Sequence, residues 1–240
     1  MKGIILAGGS GSRLQPLTKV TSKQLLPIYD KPMIFYPLNT LLQTGITEIL
    51  IIIAPDHAGD FLKILGSGKE FGCKFTYEIQ DHPGGLAEAF IIGKNFIDDD
   101  NVALILGDNL YEDDFSEAVK SFQSGGRVFA KKVTDAKRFG VVEFDAQNRA
   151  ISIEEKPQTP KSDFAVTGFY IYDNSVVQKA QNLQPSPRGE IEITDINNLY
   201  LQAGQLDVAF VPGEWFDTGT FESMFQANVF ERTRQMSKKT

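Results

Sequence analysis

Short apolar runs alternate with helical spacings through the first half of the chain. Residues 2–7 read as a buried strand, because positions 4–7 are apolar without interruption, and the spacing over 33–44 then suits a helix. The alternation continues with a strand over 48–54, a helix over 57–65, a strand over 73–79, a helix over 86–96 and a buried strand over 101–106. Strands apolar on both faces and separated by helices predict parallel βαβ units. The second half carries more strands, with runs at 127–133, 140–144, 149–154 and 164–172, helices near 174–181 and 193–203, a strand at 206–211 and a last helix from about 220. No repeat or Pro/Ser-rich linker divides the chain, so residues 1–240 are expected to form a single domain, with a polar tail at 237–240 that frays.

The first strand ends abruptly in Gly8, Gly9, Ser10, Gly11 and Ser12. A loop with so few side chains exposes successive backbone N–H groups and lets an anion approach the main chain, so phosphate is the expected guest. Arg13 and Lys23 bring two cations to the same neighbourhood. Two familiar phosphate loops do not fit. A Walker A loop needs Lys after the second glycine, where Ser12 stands; a dinucleotide fingerprint needs a third glycine where Leu14 stands, and Pro16 and Pro27 oppose the helix that should follow.

Charge narrows the partners. With 24 Lys and Arg against 31 Asp and Glu, the formal charge is −7, which argues against a nucleic-acid-binding surface and for a small anionic ligand met by local cations. Hydrophobic residues at 42% and charged residues at 23% argue against extensive disorder. Cys73 has no disulfide partner in the chain and reads as a buried, inert thiol, which suits a reducing cytoplasm. Met1-Lys2 runs directly into the first strand, so no secretory leader is expected, and the strongest apolar run, 49–54, is far short of the ~20 residues of a membrane span. His57 and His82 lack neighbours at metal-ligand spacing and are expected in loops or helix starts.

Three charged positions invite chemistry. Asp108 follows the 101–106 strand and Gly107, a place where a carboxylate beside a phosphate loop could hold Mg²⁺. Asp217, in Trp215-Phe216-Asp217-Thr218-Gly219, reads equally as a metal ligand or as the cap of the last helix. Lys156, after Glu154 and Glu155 and before Pro157, reads as a solvated charge or as an anion ligand.

Residues 3–27 resemble the signature of the sugar nucleotidyltransferases, G-G-x-G-[ST]-R-L-x-P-x-T followed by K, an apolar pair and P. Gly8, Gly9, Gly11, Ser12, Arg13, Leu14, Pro16, Thr18, Lys23, Leu25, Leu26 and Pro27 fill it. The family's G-D, E-K-P and W-x-D-x-G motifs stand at 107–108, 155–157 and 215–219, and its sugar-pocket segments match 138–142, 166–170 and 187–195. Residues 80–89 are similar to the nucleobase-reading segment of the branch that uses dTTP and glucose 1-phosphate, with departures at Asp81, His82 and Glu88.

The resemblance implies a Rossmann-like three-layer α/β/α fold with a mixed, mostly parallel central sheet. It implies nucleotide contacts from Leu6, Ala7, Gly8, Gly9, Gly11, Ser12, Arg13, Gln24, Gln80, Gly85 and Asp108, and sugar-phosphate contacts from Gly140, Glu155, Lys156, Val166, Tyr170 and Arg188. Arg13, Lys23 and Lys156 take the catalytic roles, Asp108 and Asp217 hold Mg²⁺, and Glu155 accepts from sugar hydroxyls. The implied reaction joins dTTP and glucose 1-phosphate into dTDP-glucose and pyrophosphate, serving dTDP-rhamnose and other carbohydrate biosynthesis. A UTP-dependent or other hexose-1-phosphate enzyme is the alternative. A silent nucleotide-sugar sensor would be expected to lack Asp108, Arg13 or Lys156, and all are present. The further implications are a homo-oligomer, dimer or tetramer, in the cytoplasm, with neither nucleic acid nor membrane as partner. Longer members carry C-terminal helices beyond the last one here, which build a regulatory site, so weak inhibition by dTDP-rhamnose, competitive with dTTP, is also expected.

Overall fold

The computed structural model describes residues 1–237, so the tail expected to fray lies, from 238 on, outside the described residues. In chain order the first half forms β1 (Lys2–Ala7), a small pair β2 (Pro27–Ile28) and β3 (Lys31–Pro32), α1 (Phe35–Gln43), β4 (Glu48–Ile53), α2 (Ala58–Leu65), β5 (Lys74–Ile79), α3 (Glu88–Ile92), α4 (Lys94–Ile97) and β6 (Val102–Leu106). There follow β7 (Asn109–Tyr111), α5 (Ser116–Lys120), β8 (Gly126–Lys132), β9 (Gly140–Phe144), β10 (Ala150–Glu155), β11 (Phe164–Tyr172), α6 (Ser175–Asn182), α7 (Ile193–Gln202), β12 (Leu206–Phe210), β13 (Trp215–Asp217) and α8 (Phe221–Ser237).

Among the described residues nine strands make one sheet, ordered β10-β9-β11-β6-β1-β4-β5, with β8 pairing β11 and β12 alongside. β1 pairs in parallel with β4 on one side and β6 on the other, which its uninterrupted apolar run allows. β11 runs antiparallel to β6, β8 and β9, so the sheet is mixed. Alternate residues face opposite layers. Ile4, Leu6, Leu50 and Leu104 pack with Phe90, Val176 and Tyr200 of α3, α6 and α7, whereas Ile5, Ile51 and Ile105 pack with Leu38, Phe61 and Val119 of α1, α2 and α5. This is the expected three-layer α/β/α arrangement. Each fully buried aliphatic side chain in it contributes roughly 1.5 to 3 kcal/mol relative to exposure.

The register positions the site. Leu6 pairs with Leu106, and Gly107 N donates to Leu6 O at 2.9 Å, so β1 and β6 end side by side and deliver the glycine loop next to Asp108. Chain order reverses here, since β4 lies on one flank of β1 and β6 on the other. Ligands of open α/β sheets bind at such a crevice. A third apolar cluster, including Leu14, Leu26, Ile28, Met33, Leu110 and Ala227, pins the segment after the loop beneath α8.

Three local expectations change. The helix expected over 86–96 breaks at Gly93 into α3 and α4; a Cβ there would lie 2.9 Å from Ala89 O and 3.0 Å from Leu50 Cδ2, so the glycine lets the helix press on the sheet. Cys73 is half-buried, not buried, although desolvation still raises its pKa and keeps the thiol unreactive. The three-residue strands β7 and β13, unforeseen from the sequence, pair antiparallel with Asp217 opposite Asn109. Among the described residues no helix is long and apolar enough to cross a membrane.

Candidate active site

Two adjoining cavities open at this crevice. The smaller, about 180 Å³, is lined by Leu6, Gly9, Gln24, Gln80, Pro83 and Gly85; the larger, about 320 Å³, by Arg13, Arg138, Gly140, Glu155, Lys156, Val166, Tyr170, Arg188, Thr194 and Asp217 among others. Lys23, Leu86, Leu106, Asp108 and Glu190 belong to both walls. The structure thus gathers the residues expected at the sugar phosphate into one cavity and most of those expected at the nucleotide into the other. Arg13 lines the larger cavity instead. Ala7, Gly8, Gly11 and Ser12 line neither.

The loop's shape has identifiable causes. Gly11 adopts φ 62°, its carbonyl accepting from Thr18 Oγ1 at 2.8 Å, and buried Leu14 anchors the 3-10 turn Ser12–Leu14. Arg13 therefore turns away from the core. A Cβ on Gly219 would lie 2.9 Å from Arg13 Nη2 and 3.1 Å from Asp217 Oδ1, so the glycine of the W-x-D-x-G motif makes room for that cation beside that carboxylate.

At the junction of the cavities Lys23 Nζ pairs with Asp108 Oδ2, and Asn109 Nδ2 donates to Asp108 Oδ1 at 3.0 Å. Burial alone would raise the Asp108 pKa, but the Lys23 ammonium and these hydrogen bonds outweigh it and hold the carboxyl below its ordinary value. Asp217 shifts the other way. Burial, and then the Asp108 charge, raise it despite Lys23, Arg13 and Arg138, the last with Nη2 3.6 Å from Asp217 Oδ2. The backbone segments that carry the two aspartates are tied together through Thr218, whose N and Oγ1 donate to the Asp108 carbonyl at 3.0 and 2.7 Å. Asp217 is not the cap of the last helix. Thr220 takes that place, its Oγ1 accepting from Ser223 N at 3.2 Å while Thr220 N donates to Ser223 Oγ at 3.1 Å.

On the far side of the larger cavity, Lys156 takes φ 44°, a left-handed turn that ends β10, with its N–H donating to Phe139 O at 3.0 Å. Its Nζ lies 3.3 Å from Glu155 Oε1, while Glu155 Oε2 accepts from Thr194 Oγ1 at 2.6 Å. Arg188 reaches Glu155 at 3.4 Å, Glu190 at 3.3 Å and Glu192 at 2.8 Å, so it fixes carboxylates here. Tyr170 is buried in the wall, and desolvation raises its phenol pKa far beyond the neutral range.

Two residues were given no individual role from the sequence. Asn109, 2% exposed, accepts from Gly168 N at 3.2 Å and Trp215 Nε1 at 2.6 Å while holding Asp108, so it couples β7, β11 and β13. Among the described residues, Arg138 has a buried Nη2 without a hydrogen-bond partner, facing Asp217. Their sequence signals were Asn after the G-D pair and Arg before Phe139-Gly140. His57 lies 3.6 Å from Asp60, and among the described residues no cluster of three or more His, Cys, Asp or Glu could hold a metal.

Comparison with known proteins places this architecture. A nucleotidyl transferase family profile matches residues 2–234. The chain is 54% identical to a glucose-1-phosphate thymidylyltransferase of Neisseria meningitidis, over 98% of this chain and 84% of that relative, and 51% identical to one of Mycolicibacterium smegmatis, over the same shares. Among solved structures, a Bacillus anthracis protein assigned as a glucose-1-phosphate thymidylyltransferase, in complex with a sucrose, aligns with TM-score 0.93 at 48% identity, over 97% of this chain and 95% of that one. A UDP-glucose pyrophosphorylase complexed with UDP-glucose aligns with TM-score 0.84 at 24% identity, over 97% and 98%, a likeness of fold. The chain belongs to the nucleotidyl transferase family, and within it to the group of the glucose-1-phosphate thymidylyltransferases.

Proposed function

We infer that this chain transfers the thymidylyl group of dTTP to α-D-glucose 1-phosphate, giving dTDP-glucose and pyrophosphate. The observation that carries the reading is the pair of cavities meeting at Lys23 and Asp108, in a chain about half identical to thymidylyltransferases. Their names favour dTTP over the UTP-dependent alternative. An oxygen of the sugar phosphate attacks the α-phosphorus of dTTP, and the bond to the β-phosphate oxygen breaks. That oxygen is already ionised at neutral pH, so no general base is required. The chain's tasks are to align the two substrates and to offset the repulsion between two anions.

Lys23, at the wall common to both cavities, is assigned to the phosphate that is transferred. Arg13, beside Asp217, is assigned to the departing pyrophosphate and Lys156 to the nucleophile. Glu155, held by Thr194, Lys156 and Arg188, offers a fixed acceptor to sugar hydroxyls. The glycine-loop N–H groups are assigned to the nucleotide phosphates.

The donors present fit a hard divalent cation. Asp108 and Asp217 supply only carboxylate oxygens, and one or two carboxylates with substrate phosphates suit Mg²⁺ better than an all-protein cage does. Asp217, raised by burial and then by the Asp108 charge, belongs to an acidic pair that Lys23 neutralises incompletely. Asp108 and Asp217 would hold the ion, which when bound supplies charge neutralisation at phosphate oxygens. Self-association is supported by α8, whose Phe221, Phe225, Val229 and Met236 form an exposed apolar row. A cytoplasmic site of action fits substrates that are central metabolites.

Pyrophosphate release across a grid of nucleoside triphosphates and sugar phosphates tests the reading. It predicts the highest kcat/KM for dTTP with glucose 1-phosphate; a higher value for another pair contradicts it. The assignment of Lys156 has its own check. Lys156→Ala is expected to weaken glucose 1-phosphate binding about tenfold or more, with dTTP affinity little changed. Calorimetric titration of each ligand separates the two, and equal losses would remove Lys156 from the sugar-phosphate role.

A further inference from the structure

Gln80, 5% exposed, follows β5 with its backbone N–H donating to Ile53 O at 2.9 Å, and its side chain forms part of the smaller cavity's wall. Its Nε2 lies 2.6 Å from Glu88 Oε2 and 3.4 Å from Gly85 O. A carboxylate only accepts, so the amide atom facing Glu88 has to be the nitrogen. The amide oxygen is consequently turned the other way, toward Gly8, where a Cβ would lie 2.5 Å from it. Among the described residues, Oε1 accepts no hydrogen bond.

The surrounding backbone is shaped to this pair. A Cβ on Gly84 would lie 2.4 Å from Glu88 Oε2, and one on Gly85, at φ 104°, would lie 2.4 Å from Ile191 O. Ile191 N donates to Gly84 O at 2.7 Å and Ala87 N to Ile191 O at 3.2 Å, which straps the turn beneath α3. Glycine at 8, 84 and 85 thus leaves room for one arrangement, in which Glu88 engages the nitrogen of Gln80 and its oxygen stays free.

We propose that Glu88 is a positioning residue that sets base choice through Gln80. With the amide so oriented, the smaller cavity presents an acceptor, which suits a pyrimidine carrying an N–H at ring position 3. Thymine and uracil have that donor. Cytosine has a lone pair there, and two facing acceptors repel. An amide at position 88 could meet Gln80 with either end, so the carboxylate is what makes the orientation single-valued. The proposal rests on the reading of the smaller cavity as the nucleobase side of a thymidylyl transfer site.

The test compares kcat/KM for dTTP, dUTP and dCTP, with glucose 1-phosphate, in wild type, Glu88→Leu, Glu88→Gln and Gln80→Ala. The dTTP-over-dCTP ratio is expected to fall about tenfold or more in Glu88→Leu and by less in Glu88→Gln, while the dTTP-over-dUTP ratio stays constant. Glu88→Leu added to Gln80→Ala should then change the dTTP-over-dCTP ratio no further. An unchanged ratio in Glu88→Leu, or an equal loss for all three nucleotides, overturns the proposal. Should circular dichroism show Glu88→Leu unfolded, Glu88→Gln decides, a wild-type ratio there counting against it. A wild type inactive with dTTP would instead overturn the proposed function itself.

Discussion

Asp108→Asn and Asp217→Asn are each expected to lower kcat on the order of 10²- to 10³-fold, with the fold retained. An amide keeps the shape of the side chain and removes the charge that each assigned metal ligand brings to the junction. The effects on stability should have opposite signs. The Asp108 carboxyl sits below its ordinary pKa, so its ionised form is favoured by folding, and a neutral replacement lowers Tm. The Asp217 carboxyl sits above its ordinary pKa. Its contribution is favourable below the unfolded-state pKa and is lost as pH rises through the folded one, so at neutral pH a neutral side chain leaves Tm unchanged or higher. Thermal unfolding at neutral pH and turnover at limiting Mg²⁺ measure both. Near wild-type turnover in both variants would remove the metal assignment, and a large Tm loss in Asp217→Asn would contradict the electrostatic reading.

Lys23→Met is expected to lower kcat/KM on the order of 10³-fold, since this is the cation common to both cavities. It also leaves Asp108 without its countercharge, with side-chain exposure of 14% for the lysine and 9% for the aspartate. Breaking such a pair costs roughly 3 to 5 kcal/mol. A second change, Asp108→Asn in the Lys23→Met background, removes the stranded charge and should restore part of the lost stability. The coupling is read from a double-mutant cycle on unfolding free energies. Strict additivity would mean that the pair contributes nothing as a pair, and less than a tenfold loss of kcat/KM would place Lys23 outside the transferring group's surroundings.

The first half of the fold was legible because β1, β4 and β6 are apolar on both faces, which only a covered parallel sheet satisfies. The glycine loop was legible because it follows β1 with no intervening residue. What escaped was short or depended on distant partners. β7 and β13 are three residues each, too short for a period, yet they determine where Asp108 and Asp217 stand. Local sequence could not separate Asp217 as a cap from Asp217 as a ligand, because Thr220 competes for the same helix start and wins by its hydroxyl pair with Ser223. Asn109 and Arg138 gave no periodic signal; their importance comes from partners more than fifty residues away, such as Gly168, Trp215 and Asp217. Glu88 was visible as a departure from the resembling pattern, and its contact with Gln80 gives that departure a physical consequence.

That an oxygen of the sugar phosphate becomes the bridge to the α-phosphorus is tested most directly by isotope. Glucose 1-phosphate labelled with ¹⁸O in all three non-bridging phosphate oxygens is turned over with unlabelled dTTP, and both products are weighed by mass spectrometry. The account predicts dTDP-glucose carrying the complete label and pyrophosphate carrying none. Label in the pyrophosphate, loss of label from the nucleotide sugar, or no dTDP-glucose at all would contradict it.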